Sequence, residues 1–413
     1  MRSIPCLQRP KSTYFFAVLG LSLWFLSPLS AQKTTSSQMT QSRQTPQDQL
    51  VLIGTYTDKS TSEGIYLFRF QPTTEVLTPV GIIRDITNPA FIAIHPNNQT
   101  IYTLSEVNGS TDHQGGSVSA YQINRESLEI TFLNKVSTGC AGPCHLTVDK
   151  ERQNLFVAHY TGGAVSSHSL LEDGRLSETR SIIHLEGSGP HPRQKKPHTH
   201  SVNITPSNHF ALVADLGIDR VVVYDRDTST GHLRTTESLS DAILHPGAGP
   251  RHLAFHPSRP FVYTINELDS TISLFSFDEV SGFSTEKQTI STLPVDFDGN
   301  NATAEIKISP SGNFLYGSNR GHDSLAIYSI NTETGMLTLL GHQSSGGQNP
   351  RNFEIDPTGT YLFVANQNSN DISIFRISSA SGELTPLAID LQVPRPVCIK
   401  MIPIPIQKNS SAK

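Results

Sequence analysis

The stretch RHLAFHPSRPFVYTIN, residues 251–266, carries the pattern on which the whole chain is built. It consists of an apolar alternating run, a short turn that contains proline, and a second apolar run that ends in asparagine. Successive side chains of a β-strand point to opposite faces of a sheet, so each run is typical of a strand and the turn joins two antiparallel strands. The same unit recurs at residues 90–105, 200–215, 304–319 and 351–366, and more weakly at 144–159, where Lys150 replaces the proline.

Two further strands follow each unit. The third strand is TISLFSF at 271–277, LAIYSI at 325–330 and ISIFRI at 372–377, and each is followed by a glycine-containing turn and a more polar run. Four antiparallel strands in a period of about 50 residues are typical of a propeller blade. We therefore predict an all-β fold, a seven-bladed β-propeller.

The two ends of the chain supply the seventh blade. VCIKMIPIP at 397–405 has the form of a first strand, and LVLIGTYT at 50–57 has the form of a second. Pairing them inside one composite blade closes the ring and leaves no free sheet edge. We predict one propeller domain over residues 50–405, closed by pairing of residues 51–56 with the strand around Ile399.

The N-terminus has the layout of a secretory signal. Basic residues precede an apolar run over 14–29, and small residues offer a cleavage site that ends at Ala31. We therefore predict a signal peptide at 1–31, a disordered leader at 32–49 and a disordered tail at 406–413. The protein is expected to be secreted or periplasmic, and cytoplasmic only if the signal is misread.

Composition excludes several classes of function. Lys and Arg number 31 and Asp and Glu number 36, a formal net charge of -5, so no broad attraction to nucleic acid or to an anionic membrane is expected. We expect a monomer whose partner is a small molecule, with no nucleic-acid partner and no membrane contact after signal cleavage. Cys140 and Cys144 are compatible with a small disulfide loop or with two thiols.

No metal or other cofactor is expected. HPRQKKPHTH at 191–200 holds three histidines, among them His198 and His200. A metal site requires further ligands at fixed spacing, and no carboxylate near these histidines in the sequence supplies them.

Polar residues recur at fixed distances from the proline of each unit. Six positions before it stand His200, Arg251 and Arg351; five positions before it stand His145, His252 and Glu305; ten positions after it stand Glu267 and Arg320. The first strand of a blade lies nearest the axis and the second runs antiparallel to it, so these positions are predicted to converge on one mouth of the channel. The rim of a water-filled channel is often polar for no catalytic reason. Taken together, however, these residues are suited to bind an anion and move a proton.

Four short motifs within these repeats, PHTH at 197–200, GPRH at 249–252, NELDS at 266–270 and SNRG at 318–321, resemble the lactonase family of seven-bladed propellers. That family includes bacterial 6-phosphogluconolactonases and a fungal carboxy-muconate cyclase, and the resemblance covers nearly the whole chain after the leader. It implies a metal-free site formed by His200, Arg251, Glu267 and Arg320. Counting from the proline singles out the same four residues.

These residues suggest roles in hydrolysis of a sugar lactone. We predict that Glu267 takes the proton from water, with His200 as the alternative base, because the pKa of each depends on its burial. Arg251 and Arg320 are predicted to hold the substrate's anionic group or the developing oxyanion. The predicted substrate-binding residues are His198, His252, Glu305, Arg351 and His145.

Two other functions use the same features. A cyclase or isomerase of the muconate type would close a lactone with the same arginines and glutamate. A non-catalytic binding propeller would use the ring as a scaffold. The lactone itself is left open, because the phosphorylated lactone is made in the cytosol whereas the predicted signal indicates export.

Overall fold

The computed structural model of the protein describes residues 47–108, 115–235 and 238–405. The predicted signal peptide, the predicted tail and all of the predicted leader except its last three residues lie outside the described residues. Within the described part of the chain, no helix is long and apolar enough to cross a membrane.

The described residues form seven antiparallel sheets, which are the seven blades predicted. The described chain begins with three strands of the composite blade and continues through three complete blades. These strands are β1 (Gln49–Thr55), β2 (Ile65–Gln71), β3 (Val76–Ile83), β4 (Ile92–Ile94), β5 (Thr100–Ser105), β6 (Ser117–Ile123), β7 (Ile130–Ser137), β8 (Pro143–Val148), β9 (Asn154–His159), β10 (Ala164–Leu170), β11 (Leu176–His184), β12 (Thr199–Ile204), β13 (Phe210–Asp215), β14 (Arg220–Arg226), β15 (Leu233–Thr235) and β16 (Ala242–Ile243).

The remaining strands complete the ring. They are β17 (Pro250–Phe255), β18 (Phe261–Asn266), β19 (Thr271–Asp278), β20 (Gly282–Phe283), β21 (Gln288–Ser291), β22 (Ala302–Ile308), β23 (Phe314–Arg320), β24 (Ser324–Ile330), β25 (Leu337–Ser344), β26 (Pro350–Ile355), β27 (Tyr361–Asn366), β28 (Asp371–Ile377), β29 (Leu384–Pro386) and β30 (Pro396–Pro403). The inner strands contact one another in the closed order β4, β8, β12, β17, β22, β26, β30 and again β4.

The composite blade closes as predicted. Its strand order is β3-β2-β1-β30, so the C-terminal strand is the innermost and the N-terminal strand is the second. Ile53 lies opposite Ile399 and Val51 lies opposite Met401. β1 begins at Gln49, one residue before the predicted start of the domain.

The hydrophobic core lies between neighbouring blades. Phe70 of the composite blade packs edge-on against Tyr361 and Phe363 of the preceding blade, with ring centroids 5.0 and 5.1 Å apart. Buried tyrosines also tie three of the blades to the next one: the hydroxyl of Tyr263 donates to the carbonyl oxygen of Gly335 at 2.7 Å, and Tyr102 and Tyr316 make equivalent bonds. Each such ring buries a large apolar surface while its hydroxyl remains satisfied.

A β-bulge stands at the start of most inner strands. The pairing with the second strand skips one residue in each of five blades, and these residues are Cys144, His200, Arg251, Arg351 and Val397. An extra residue in one strand re-aims the side chains beside it. In the blades of Cys144 and Arg251 the residue directly after the bulge, His145 or His252, borders a cavity in the channel.

Candidate active site

Glu267 is the centre of a cluster at one mouth of the channel. It follows β18 directly, and its side chain is only 6% exposed. Its Oε2 accepts Nε of Arg251 at 2.9 Å and lies 3.0 Å from Nη2 of Arg320, while its Oε1 accepts Nη2 of Arg193 at 2.6 Å. Three guanidinium groups from three different blades or loops thus surround one buried carboxylate.

Backbone carbonyls fix two of these arginines. Arg251 donates from Nη1 to the carbonyl oxygen of Ala304 at 2.7 Å and to Nε2 of His252 at 3.2 Å. Arg320 donates to the carbonyl oxygens of Ala302 and Thr303 at 3.2 and 2.8 Å. Among the described residues, neither Nη2 of Arg251 nor Nη1 of Arg320 has a hydrogen-bond acceptor. Both guanidinium groups are therefore rigidly held and keep N–H donors for a ligand.

His200 stands beside the carboxylate as a buried imidazole. Its Nε2 lies 4.0 Å from Oε2 of Glu267, and its Nδ1 lies 4.0 Å from Sγ of Cys144. Burial lowers the pKa of His200 well below its ordinary value, and the charge of Arg251 adds to this effect. His200 is thus neutral around pH 7 and its ring can accept a proton.

The electrostatic balance at this mouth is positive. Burial alone would raise the pKa of Glu267, but Arg320, Arg251 and Arg193 outweigh it and hold that pKa far below its ordinary value. Burial in turn lowers the pKa of Arg320 to about 10, so it remains charged near neutral pH. Together with Arg351, the guanidinium groups outnumber the carboxylates of Glu267 and Glu106, which suits an anionic ligand.

Tyr56 joins Arg351 to this mouth, and the sequence interpretation missed it. Nη2 of Arg351 donates to the Tyr56 hydroxyl at 2.8 Å, and that hydroxyl donates to Oε2 of Glu106 at 2.8 Å. Tyr56 is the first residue after β1, the same register as Glu106 after β5 and Glu267 after β18. The composite blade has no proline turn from which to count. Counting instead from the end of β1 finds Tyr56.

Arg193 was also missed, and it lies in an interblade loop outside the repeat. Besides Glu267, its Nη2 donates to the Tyr160 hydroxyl at 2.9 Å. His198, a predicted substrate-binding residue, stacks on the ring of Tyr160 with centroids 4.5 Å apart and pairs through Nδ1 with the carbonyl oxygen of Tyr160 at 2.9 Å. His198 thus supports Tyr160 rather than contacting Glu267.

The structure divides the predicted set between the two halves of the channel. His145, His252 and Glu305 border a cavity of about 410 Å³ that receives side chains from all seven inner strands at the end away from Glu267. Nδ1 of His252 lies 3.0 Å from Oε1 of Glu305. Nε2 of His252 nevertheless pairs with Arg251, and its ring centroid lies 5.3 Å from that of His200, so His252 lies between this cavity and the Glu267 mouth. Among the described residues, neither His145 nor Glu305 has a hydrogen bond or ion pair with Glu267.

The described cysteines and metal-ligand side chains form neither a disulfide nor a metal-binding group near this mouth. Cys140 and Cys144 are both free thiols, and burial raises the pKa of the Cys144 thiol. Within residues 47–108, 115–235 and 238–405, no group of three or more His, Cys, Asp or Glu side chains is arranged to hold a metal ion.

Known proteins share this architecture along almost the whole chain. A family model described as "Lactonase, 7-bladed beta-propeller" matches residues 50–401. The chain is 37% identical over 298 residues to 6-phosphogluconolactonase of Bacillus subtilis, covering 72% of this chain and 82% of that protein. It is 32% identical over 306 residues to a protein named 6-phosphogluconolactonase from Formosa agariphila, covering 73% of this chain and 84% of that one.

Solved structures give the same picture. A putative 6-phosphogluconolactonase from Bacteroides fragilis superposes with a TM-score of 0.79 at 32% identity, covering 87% of this chain and 99% of that one. The periplasmic gluconolactonase of Pseudomonas aeruginosa superposes with a TM-score of 0.81 at 28% identity, covering 87% and 100%.

Proposed function

The chain belongs to the family of seven-bladed β-propeller lactonases, and we propose that it hydrolyses a sugar lactone at the Glu267 mouth. The observation that carries the proposal is a buried carboxylate held between rigid arginines, with a neutral imidazole 4.0 Å away. Hydrolysis of a lactone needs a proton acceptor for water and a site for negative charge on the carbonyl oxygen. This mouth has both within one cluster.

Arg251 and Arg320 are proposed to bind the carbonyl oxygen as it becomes an oxyanion. Hydrogen-bond donors that are fixed before the reaction stabilise the transition state without reorganisation. The carbonyl acceptors on Nη1 of Arg251 and on Nε and Nη2 of Arg320 provide that fixation. Nη2 of Arg251 and Nη1 of Arg320 would make the bonds to the oxyanion.

His200 and Glu267 are proposed to act as one unit in activating water. Guanidinium groups occupy both oxygens of the Glu267 carboxylate, whereas Nε2 of the neutral His200 imidazole faces that carboxylate at 4.0 Å without a hydrogen bond to it. We propose that His200 accepts the proton from water as long as Arg193 is bound to Oε1 of Glu267. Glu267 then stabilises the imidazolium that forms and holds Arg251 and Arg320 in place.

The substrate class follows from the excess of positive charge and from the relatives. Three of the relatives described above are named for a phosphorylated lactone, one of them as putative, and a fourth is named for gluconolactone. We propose that this chain accepts a six-carbon aldonolactone and prefers one with an anionic group. We also propose that it acts outside the cytosol, and N-terminal sequencing of the natural protein tests this by finding a start near Gln32 or at Met1.

Acid release tests the activity directly. Purified protein is added to glucono-δ-lactone and to its 6-phosphate in a pH-stat, and the rate is compared with spontaneous hydrolysis. The proposal expects catalysed acid release from at least one of the two. If neither rate exceeds the spontaneous one while the protein is folded, the hydrolase assignment fails, and conversion of an unsaturated acid to a lactone becomes the reaction to assay.

A further inference from the structure

Arg193 differs from the other arginines around Glu267 in how it is held. It lies in the loop between β11 and β12, and its side chain is 44% exposed, against 3% for Arg251 and 12% for Arg320. Its guanidinium donates to Glu267 and to the hydroxyl of Tyr160, and it has no backbone carbonyl partner among the described residues. Among the described residues, Glu267 and Tyr160 are its only hydrogen-bond partners over the mouth.

The loop that carries Arg193 is itself anchored. The neighbouring Gln194 is fully buried, and its Nε2 donates to the carbonyl oxygen of Leu216 at 2.8 Å and to Oδ1 of Asp219 at 2.6 Å. A fixed backbone next to an exposed, long side chain means that the guanidinium can swing while the loop stays in place. Half-exposed ion pairs hold such a side chain only weakly.

The contact that Arg193 makes is one that an incoming anion can replace. A guanidinium can bind phosphate or carboxylate through two parallel N–H donors, whereas Arg193 binds the Glu267 carboxylate through Nη2 alone. A substrate with such a group at the mouth competes with Oε1 of Glu267 for Arg193. When Arg193 turns to the substrate, Oε1 loses its cover and becomes available to a water molecule or a substrate hydroxyl.

On the basis of the proposed lactonase activity, we infer that Arg193 is a specificity-determining residue that couples recognition of an anionic group on the lactone to the uncovering of Glu267. A neutral lactone offers Arg193 no alternative partner, so Glu267 stays covered during its turnover. With an anionic lactone the same residue contributes binding and also removes one of the three cations that weaken Glu267 as a base. Selectivity thus comes from one side chain that exchanges partners.

The test uses two substrates that differ only in the phosphate. Arg193→Met is compared with Lys195→Met, which removes the same charge from an exposed position of the same loop. For glucono-δ-lactone 6-phosphate, kcat/KM of Arg193→Met is expected to fall roughly 10- to 100-fold, the loss of a charge-assisted contact. For glucono-δ-lactone it is expected to stay level or rise, because Glu267 is no longer covered. Lys195→Met is expected to change neither rate more than about twofold.

Two results would overturn the inference: an equal loss on both lactones with Arg193→Met, or no change on either. Calorimetric binding of 6-phosphogluconate and gluconate separates this from the activity itself. If the wild type hydrolyses neither lactone yet Arg193→Met abolishes a preference for 6-phosphogluconate, the hydrolase proposal fails and the recognition role stands. If wild type and variant bind the two aldonates alike, the recognition role fails, whatever the rates.

Discussion

The two halves of the central channel each contain a glutamate paired with cations, buried in one half and partly buried in the other, and we assign the chemistry to the buried one. At one mouth, Glu267 is surrounded by arginines; in the opposite half, Oε2 of Glu354 lies 2.9 Å from Nζ of Lys400 and 3.3 Å from Nζ of Lys307. Burial alone would raise the pKa of both carboxylates, and in both cases the neighbouring cations outweigh it and lower the pKa. By charge pairing alone the two sites are alike.

The histidines distinguish the two halves. His252 on the opposite side has both ring nitrogens occupied, since Nδ1 pairs with Glu305 at 3.0 Å and Nε2 accepts Arg251 at 3.2 Å. His200 has no hydrogen bond to Glu267, only an approach of 4.0 Å. A buried ion pair is therefore a common structural feature of this channel. A reactive site needs, in addition, a base with an unused lone pair and rigid donors with unused N–H groups.

Removing one cation from each half gives the largest expected contrast. Arg251→Met removes a fixed donor from the proposed oxyanion site, so kcat should fall roughly 10²–10³-fold. Lys400→Met also removes a cation from a partly buried glutamate, and Glu354 keeps Lys307, so kcat should stay near that of the wild type. Steady-state kinetics on whichever lactone the wild type prefers checks both. Equal losses in the two variants would mean that the halves are not functionally different.

Replacing the guanidinium group of Arg320 with an ammonium group is expected to have a smaller effect. Arg320→Lys keeps the positive charge but cannot reach Ala302, Thr303 and Glu267 at once, so the charge is less precisely held. We expect KM to rise and kcat to fall, together about tenfold in kcat/KM. The matched change in the other half is Lys307→Arg, which should leave both constants unchanged. Separate measurement of kcat and KM tests this expectation. If both constants are unchanged in Arg320→Lys, Arg320 has no role in binding or turnover.

The pH dependence separates the two candidate bases. The pKa of His200 is lowered, so the imidazole is neutral and active at all pH values above that lowered pKa, and activity is lost only as the pH falls through it. The rate kcat/KM should therefore stay level from pH 8 to below the ordinary histidine pKa of about 6.5 and fall only at lower pH. A decline centred near the ordinary histidine pKa of about 6.5 would contradict this. An acid limb that persists in His200→Ala would belong to Glu267.

The repeat made much of this predictable. Because each blade reuses one register, counting from the proline located Glu267, Arg251, His200 and Arg320, which the structure brings together. The same count did not give depth in the channel, since a β-bulge leaves no mark in the alternation of apolar residues, and a bulge directly precedes both His145 and His252, which border the cavity on the other side. Arg193 could not be found by counting, because an interblade loop has no register.

The composite blade illustrates a different limit. Its pairing was predictable because both halves of a known unit stand at the two ends of the chain. Its contribution to the mouth was not found, because Tyr56 follows a strand that has no proline turn before it in the sequence. The pairing of the two ends of the chain was thus easier to predict from the pattern than the position of Tyr56, which directly follows one of the paired strands.

The most direct test of the account is the pair Glu267→Gln and Glu354→Gln, assayed together for lactone hydrolysis and for thermal melting. Both changes keep the side-chain shape and remove a cation-paired charge, which is buried at Glu267 and partly buried at Glu354. The account predicts that Glu267→Gln lowers turnover roughly 10²–10⁴-fold while its melting temperature stays close to that of Glu354→Gln, which keeps near-normal turnover. Near-normal turnover in folded Glu267→Gln, or an equal loss in both variants, would contradict the claim that the Glu267 mouth is the active site.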